Sequence, residues 1–140
     1  MAVNKNNILT GVNGDVWFNG ALMATLKSIK CTVKSDTETE NFIGDGRTYT
    51  IWEGWSGDGS LTLAKIDSSV WKMAANAFKS GITPDLKIIS SLTNSSGETE
   101  KVAIEGVMFS QFDLINIESK KVNEESYSIT FDDYEVIDTI

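Results

Sequence analysis

Residues 28–55 read SIKCTVKSDTETENFIGDGRTYTIWEGW, and this stretch decides the fold. Ile29, Cys31 and Val33 alternate with polar residues, which is the period of a β-strand with one buried face. The alternation continues through threonines and carboxylates to a Gly-Asp-Gly turn at residues 44–46, after which the chain returns. The stretch therefore predicts a β-hairpin longer than its own core requires, with Cys31 as a small buried hydrophobe.

The acidic, threonine-rich part of this hairpin, residues 35–48, is predicted to be an extended loop that the core does not need. Ordered loops of this length are uncommon in compact domains and are usually either functional or disordered. Because the chain shows no catalytic equipment, we expect this loop to contact another copy of the protein and to be the most mobile part of an isolated subunit. The residues expected to make the contact are Asp36, Glu38, Glu40, Phe42, Asp45 and Arg47.

The rest of the chain is predicted to be mainly β. Asn19-Gly20 lies between two apolar runs and supplies the positive φ angles of a type I′ hairpin turn. Gly57-Asp58-Gly59 predicts another turn, and Asp132-Asp133 marks a β-bulge because the inward-facing phase changes there. Further strands are predicted at residues 60–66, 86–93, 101–107 and 109–118, with a last one after residue 125.

One helix is predicted at about residues 68–80, where apolar side chains repeat at helical spacing. Asp67 or Ser68 can cap its N-terminus, and Gly81 followed by Pro84 marks its end. These elements together predict a β-sandwich or barrel of about seven or more strands with one helix on its flank.

The length of 140 residues predicts a single domain over residues 1–140, of which 1–13 form a polar N-terminal arm. The net charge is −8 and Arg47 is the single arginine, so the chain lacks the clustered basic residues that neutralise nucleic-acid phosphates. The acid could repel a passing nucleic acid, or it could simply keep the protein soluble. Neither a run of about 18 apolar residues nor a secretory signal is present.

The residue types that carry most catalysis are missing. The chain contains no histidine and one cysteine, which excludes Ser-His and Cys-His pairs, histidine-ligated metals and thiolate zinc sites within one chain. The two Gly-Asp-Gly sequences lack the residues of a phosphate-binding loop. Adjacent Asp132 and Asp133 point to opposite faces of a regular strand, so they do not predict a catalytic pair. We therefore predict no enzyme activity, no cofactor and no metal.

Aromatic residues leave one alternative open. Tyr49, Trp52, Trp55 and Trp17 could form a sugar-stacking platform on a β-sandwich, as in a monomeric carbohydrate-binding module. Trp52 and Trp55 are three positions apart and face opposite sides of a regular strand. At least one of them is therefore expected to lie in the core.

Taken in order, these features resemble the XkdM-like, PBSX-type family of tail-tube proteins from contractile phage tails, prophages and phage-tail-like bacteriocins. The resemblance covers essentially the whole chain. It rests on the polar N-terminal arm, the helix and the acidic C-terminal strand, together with the sequences GDVWFNG at 14–20, KCTVK at 30–34, GDGRTY at 44–49 and SVWKMA at 69–74.

The resemblance implies a tail-tube or Hcp-like β-sandwich whose copies close hexameric rings through a shared inner β-barrel. Such rings stack into a virion or phage-tail-like tube, assembled in the bacterial cytoplasm, with sheath, baseplate and terminator proteins as partners and DNA or ions only passing through. On this basis the loop at 35–48 is expected to reach the neighbouring ring, and a type VI secretion-like tube remains the alternative. Trp71, Lys72 and Lys79 are expected at the interface within the ring. Candidates for an acidic channel wall are Glu38, Glu40, Asp132, Asp133 and Glu135.

Overall fold

The computed structural model describes residues 2–66, 68–82 and 84–140, and over these residues the chain forms nine β-strands and one α-helix. Two short 3-10 turns, Lys5–Asn7 and Gly11–Asn13, precede the first strand. The elements are β1 Gly14–Phe18, β2 Ala21–Leu22, β3 Leu26–Asn41, β4 Thr48–Ala64, α1 Ser69–Ser80, β5 Lys87–Thr93, β6 Thr99–Glu105, β7 Met108–Phe112, β8 Glu124–Phe131 and β9 Asp133–Asp138.

The strands form two antiparallel sheets that enclose one core. One sheet has five strands in the order β2-β1-β5-β6-β9, and the other has four in the order β3-β4-β8-β7. The inward-facing residues of both sheets pack together with Ala74 of α1. The largest fully buried side chains are Leu61, Leu86, Ile88, Val107, Tyr127 and Ile129. The predicted mainly β sandwich with one flanking helix is confirmed.

Two local predictions follow the residue chemistry closely. Asn19 and Gly20 have φ angles of 51° and 85°, as the turn between β1 and β2 requires. Gly81 ends α1 in the left-handed region at φ 71°, and its N–H donates to the Ala77 carbonyl at 3.0 Å. Ser68 occupies the N-cap position, but its side chain makes no capping hydrogen bond, and the other predicted cap, Asp67, lies outside the described residues.

The turn predicted at residues 57–59 is wrong, because β4 runs without interruption from Thr48 to Ala64. Both glycines are instead sites of close approach. A Cβ on Gly57 would lie within 2.3 Å of the Phe131 ring, and a Cβ on Gly59 would lie 2.6 Å from the Lys30 carbonyl oxygen. The glycines therefore provide space for a neighbouring ring and a neighbouring strand.

The C-terminal third also differs from the prediction. Asp132 does not lie in a bulge within one strand, because the chain crosses there from β8 in the four-stranded sheet to β9 in the five-stranded sheet. This crossing explains the change of phase, since the two sheets face the core from opposite sides. The strand predicted at 109–118 ends at Phe112, and residues 113–123 lie outside the strands.

The segment predicted as a loop at 35–48 is a β-ribbon. Residues 35–41 belong to β3, and the ladder continues to the pair Asn41 and Thr48, so only residues 42–47 lie between the strands. Threonine-rich sequences favour extended pairing even where nothing is buried, and Thr39 faces Thr50 across the ribbon. Cys31 is exposed, so the prediction of a buried cysteine is also wrong, because β3 is an edge strand that extends beyond the core.

Candidate self-assembly surfaces

The most regular feature outside the core is the ribbon, residues 36–54, and its tip, residues 42–47. The Asp45 carboxylate organises the tip, since it accepts hydrogen bonds from the Arg47 backbone N–H at 2.9 Å and from Arg47 Nε at 3.1 Å. Tyr49 Oη donates to the same carboxylate at 2.5 Å, and Phe42 packs edge-on against the Tyr49 ring at 5.6 Å. The tip is therefore held in one shape by its own side chains.

These bonds change the titration of both partners. The hydrogen bonds from Arg47 and Tyr49 lower the pKa of Asp45 from 3.8 to about 2. The same bond to Asp45 raises the pKa of Tyr49. A depressed carboxyl pKa stabilises the folded tip above pH 3.8, and this stabilisation is lost as the pH falls toward 2.

Replacing Asp45 with Asn should loosen the tip without unfolding the domain. We expect the pKa of Tyr49 to fall back toward its ordinary value, because the carboxylate that raises it is gone. NMR titration of the Tyr49 ring protons measures this change. Asp36→Asn, which removes a carboxylate of the same ribbon away from the tip, is the matched control and should leave the titration of Tyr49 unaltered. An unchanged Tyr49 pKa in Asp45→Asn would show that the tip is organised in another way.

A bulge in the ribbon decides where two tryptophans lie. Ser35 pairs with Trp55 and Thr37 pairs with Trp52, so two residues of β4 oppose the single residue Asp36 of β3. Directly opposed residues share a face, and so do residues two apart in a regular strand, which places Trp52 and Trp55 on the same face. The expectation that they face opposite sides fails because of this extra residue.

The aromatic residues do not form one sugar-stacking platform. Trp55 packs between Phe131 at 6.4 Å and Tyr134 at 5.2 Å and belongs to the subunit core. Trp17 lies in the other sheet, with the Lys101 ammonium 5.8 Å from its ring centre. Trp52 is 65% exposed on the ribbon and is not part of the Trp55 cluster.

The four-stranded sheet has two edges that carry no strand partner within the described chain. One edge is β3, which is 16 residues long, and the other is β7, which has five residues. Unpaired strand edges are templates for pairing with another chain. Because both edges belong to one sheet, a head-to-tail contact between copies would continue that sheet.

The outer face of this sheet is polar and lies open. The side chains that share it are Ser28, Lys30, Thr32, Lys34, Ser56, Asp58, Ser60, Thr62, Ser126, Ser128 and Thr130, because they alternate with core residues in paired register. Hydroxyl groups dominate this set, which we call the hydroxyl face. Its charged members are two lysines and one aspartate, so the face is not strongly acidic.

The candidate channel acids lie on two different faces. Glu38 and Glu40 continue the alternation of the hydroxyl face along the ribbon. Asp133 and Glu135 pair with Glu105 and Ala103 on the outward face of the five-stranded sheet. Asp132 lies at the crossing between the sheets. The five acids therefore cannot line one common wall.

A further carboxyl group, Glu53, was missed by the sequence prediction. Its hydrogen bond with Glu38 raises the pKa of Glu53, since a bond between two carboxyl groups needs a shared proton. The bulge brings this residue next to Glu38, and such a local irregularity has no sequence signal apart from Gly54, whose φ is 126°. The ribbon face therefore carries a cluster of acid beside the hydroxyl face.

Of the three helix residues predicted at the interface within the ring, one contacts its own subunit and two are exposed to solvent. Trp71 Nε1 donates to the Leu114 carbonyl at 3.1 Å, which fastens α1 to the segment 113–123 of the same subunit. Lys72 and Lys79 are exposed. The N-terminal arm also contacts its own subunit, where Asn7 Oδ1 accepts from Ser96 Oγ at 2.9 Å. A contact of the helix or the arm with a neighbouring subunit stays a prediction.

Similarity to known protein sequences assigns this chain to a family. A sequence profile described as phage tail tube protein matches residues 1–138. This chain belongs to the phage tail tube protein family. The Bacillus subtilis (strain 168) proteins named "Phage-like element PBSX protein XkdM" and "Uncharacterized protein YqbM" are each 27% identical to it over 139 residues, covering 97% of this chain and 95% of each relative. The resemblance to the XkdM-like family is confirmed.

Solved structures share the fold at lower identity. The tube-terminating cap of the anti-feeding prophage has a TM-score of 0.76 at 14% identity, over 99% of this chain and 95% of that one. A chain of the extended sheath–tube complex of the extracellular contractile injection system PVC has a TM-score of 0.73 at 12% identity, over 96% and 95%. Phage tail tube proteins are structural components of virions or tail-like particles.

Two other features are absent from the described residues. No group of three or more carboxylate or cysteine side chains there is placed to hold a metal ion. Within the same ranges, no helix has the length and apolar character needed to cross a membrane.

Proposed function

We propose that this tail tube protein closes hexameric rings through the two free edges of its four-stranded sheet, and that the rings stack into a hollow tube. The observation that carries this proposal is the combination of two unpaired edges and one open polar face on the same sheet. Edge-to-edge pairing of β3 with β7 of the next copy removes both edges, which a soluble sheet protein otherwise has to protect.

The resulting barrel would be wide enough to enclose a channel. Six copies of a four-stranded sheet would give a barrel of about 24 strands, whereas 16–18 strands already enclose an aqueous channel. The polar hydroxyl face would then point into the channel. The five-stranded sheet, with Asp133 and Glu135 on its outward face, would form the outer wall.

This orientation changes the expected chemistry of the channel. Hydroxyl groups bind water and offer few fixed charges, so phosphates of a passing nucleic acid meet no strong attraction. The acids Glu38, Glu40 and Glu53 of the ribbon would lie where one ring meets the next and would repel phosphates there. DNA is thus cargo rather than ligand, and the chain serves as a structural part without catalysis.

The partners follow from the same arrangement. Similar folds occur in structures described as a baseplate and as a sheath–tube complex. We propose that the outer wall of this tube meets sheath subunits and that its ends meet baseplate and terminator proteins. Co-purification of a sheath protein with the assembled tube tests the proposed outer contact.

Assembly of the purified chain tests the proposal. We expect size-exclusion chromatography at high concentration to show a ring-sized species, and negative-stain electron microscopy to show rings with six-fold symmetry and stacked tubes. A monodisperse monomer at every concentration, or one that binds oligosaccharide, would overturn the proposal.

Thiol labelling of assembled tubes should reveal which face lines the channel. In a Cys31→Ser background, Ser60→Cys places a thiol on the hydroxyl face, and Glu135→Cys places one on the opposite sheet. We expect a small maleimide to label both variants, and a maleimide on a polymer wider than the channel to label only Glu135→Cys. Isolated subunits, in which both faces are exposed, are the control. Polymer labelling at residue 60 in intact tubes would contradict the assignment.

A further inference from the structure

One end of the sandwich carries an apolar cavity of about 410 Å³. It lies where β2, the beginning of β3 and α1 meet, beside the Leu26 and Leu63 end of the long hairpin. The residues that define it are Leu22, Met23, Leu63, Val70, Met73 and Glu125. Its volume is in the range of cavities that hold a small ligand or an inserted side chain.

Glu125, the carboxylate among the described residues of this wall, is incompletely satisfied. Glu125 is only 5% exposed, and its Oε2 accepts a hydrogen bond from Tyr127 Oη at 2.6 Å. Burial, together with this bond, raises the pKa of Tyr127, so the phenol keeps its proton as donor. Among the described residues nothing donates a hydrogen bond to Oε1, although Lys65 Nζ lies 3.4 Å away at ion-pair distance. A buried acceptor without a hydrogen bond is uncommon in folded proteins and calls for an explanation.

The tip of the ribbon offers complementary groups. Ile43 is fully exposed and Phe42 is largely exposed, although both are large apolar residues. The Arg47 side chain is 79% exposed and uses Nε and Nη2 for Asp45, which leaves guanidinium N–H groups for another acceptor. The tip therefore combines apolar side chains with a cation, and the cavity combines apolar walls with a carboxylate.

The two surfaces lie at opposite ends of the same hairpin. The cavity adjoins the pair Leu26 and Leu63, while the tip follows the pair Asn41 and Thr48. Fifteen residue steps along β3 place them about 50 Å apart, at roughly 3.3 Å per residue. A copy cannot fill its own cavity. Complementary surfaces at opposite ends instead make a head-to-tail contact that repeats along an axis.

We propose that the ribbon tip of each subunit docks into the Glu125 cavity of a subunit in the next ring, with Ile43 or Phe42 entering the apolar pocket and Arg47 facing Glu125. This inference rests on the proposed stacking of rings and names the receptor for the ribbon. Strands within a barrel run along its axis with a tilt, so the two ends of the hairpin face the rings above and below.

Two variants test the proposal, each with only one of the two docking surfaces disrupted. Ile43→Asp spoils the tip but leaves the cavity, and Leu22→Asp spoils the rim of the cavity but leaves the tip. Both side chains are more than half exposed, so both variants should fold and form rings. We expect neither variant alone to form tubes. An equimolar mixture should form double rings that grow no further, because only one combination of tip and cavity is intact.

Each result of the mixing experiment is decisive. Double rings in the mixture alone support the docking, and Ile43→Leu should still form long tubes as a conservative control. Long tubes from Ile43→Asp or from Leu22→Asp would overturn it, as would a mixture of single rings only. If the unmodified chain forms no rings or tubes, the proposed function itself fails, so the two failures are distinguishable.

A crosslink measures the contact without disturbing the charge of either surface. In a Cys31→Ser background, we expect tubes of Ile43→Cys with Ile66→Cys at the cavity rim to give a ladder of covalent oligomers on oxidation. Ile43→Cys with Ser95→Cys, a position in the turn at the far end of the five-stranded sheet, is the control and should give none. Tubes that form normally yet give no ladder with Ile66→Cys would contradict the docking.

The role of the Glu125 charge can be tested through the strength and salt dependence of stacking. Glu125→Gln keeps an acceptor for Tyr127 but removes the charge that faces Arg47, and we expect stacking to weaken by about tenfold or more and to depend less on salt. Glu100→Gln, the same change at an exposed position of β6 away from the cavity, is the control. Unchanged stacking strength and salt dependence in Glu125→Gln would remove the cation from the proposal.

Discussion

Subunits in which the ribbon is replaced by a short Asn-Gly turn between Ser35 and Trp55 should fold and close rings but form no tubes. The register dictates this design, because Ser35 pairs with Trp55 and both strands of the ribbon have to be removed together. Deleting one strand alone would leave the other without its partner. Every residue of the core cluster lies outside residues 36–54, so the replacement removes no core residue.

Folding and assembly of this variant can be measured separately. We expect the free energy of unfolding to change by less than about 1 kcal/mol, because surface changes away from packed groups have small effects. Thermal denaturation followed by circular dichroism measures this quantity, and electron microscopy scores tubes. Thr39→Ser, which keeps the full ribbon and its charges, should retain tubes. Tubes formed without the ribbon would contradict its role, and loss of folding would show that the ribbon supports the core.

Gly57→Ala and Gly59→Ala should each destabilise the subunit, although both sequences look like tolerant turn positions. The added methyl on Gly57 collides with the Phe131 ring, and the one on Gly59 collides with the backbone of β3. Overpacking of this kind costs about 1–3 kcal/mol. The change at Gly59 should be the larger, because a backbone carbonyl moves less easily than a side chain.

Gly46→Ala is the matched control for both changes. A Cβ at that position has nothing within 4 Å, and the backbone there does not need a positive φ. Chemical denaturation of the three variants, compared with the parent chain, measures the differences in the free energy of unfolding. Equal stability of Gly57→Ala, Gly59→Ala and Gly46→Ala would mean that β4 does not pass this close to Phe131 and β3.

The parts of the fold that could be predicted are those with local causes. Asn19-Gly20 and Gly81 adopt the positive φ angles that their chemistry favours, and the helix follows its apolar spacing. The roles of the glycines at 57 and 59 could not be predicted. A Gly-Asp-Gly sequence is the same whether its glycines form a turn or allow a close approach. The sequence predicts a loop at the ribbon because burial, which its threonines lack, is the main signal for a strand.

The surfaces depend on pairing over long distances, which the sequence does not encode locally. Alternation placed Glu38 and Glu40 on one face of β3, but it could not show that Asp133 and Glu135 belong to the other sheet. Nor could it show that one extra residue opposite Asp36 brings both tryptophans to one side. The partly satisfied Glu125 was not predicted, since its burial results from packing between α1 and two strands.

Electron cryo-microscopy of tubes assembled from this chain tests the central claim most directly. We expect each ring to contain six copies, with β3 of one copy hydrogen-bonded to β7 of the next and the side chains of Thr32, Ser60 and Ser128 facing the channel. A density map in which these edges stay unpaired, or in which the hydroxyl face lies on the outside of the tube, would contradict the account.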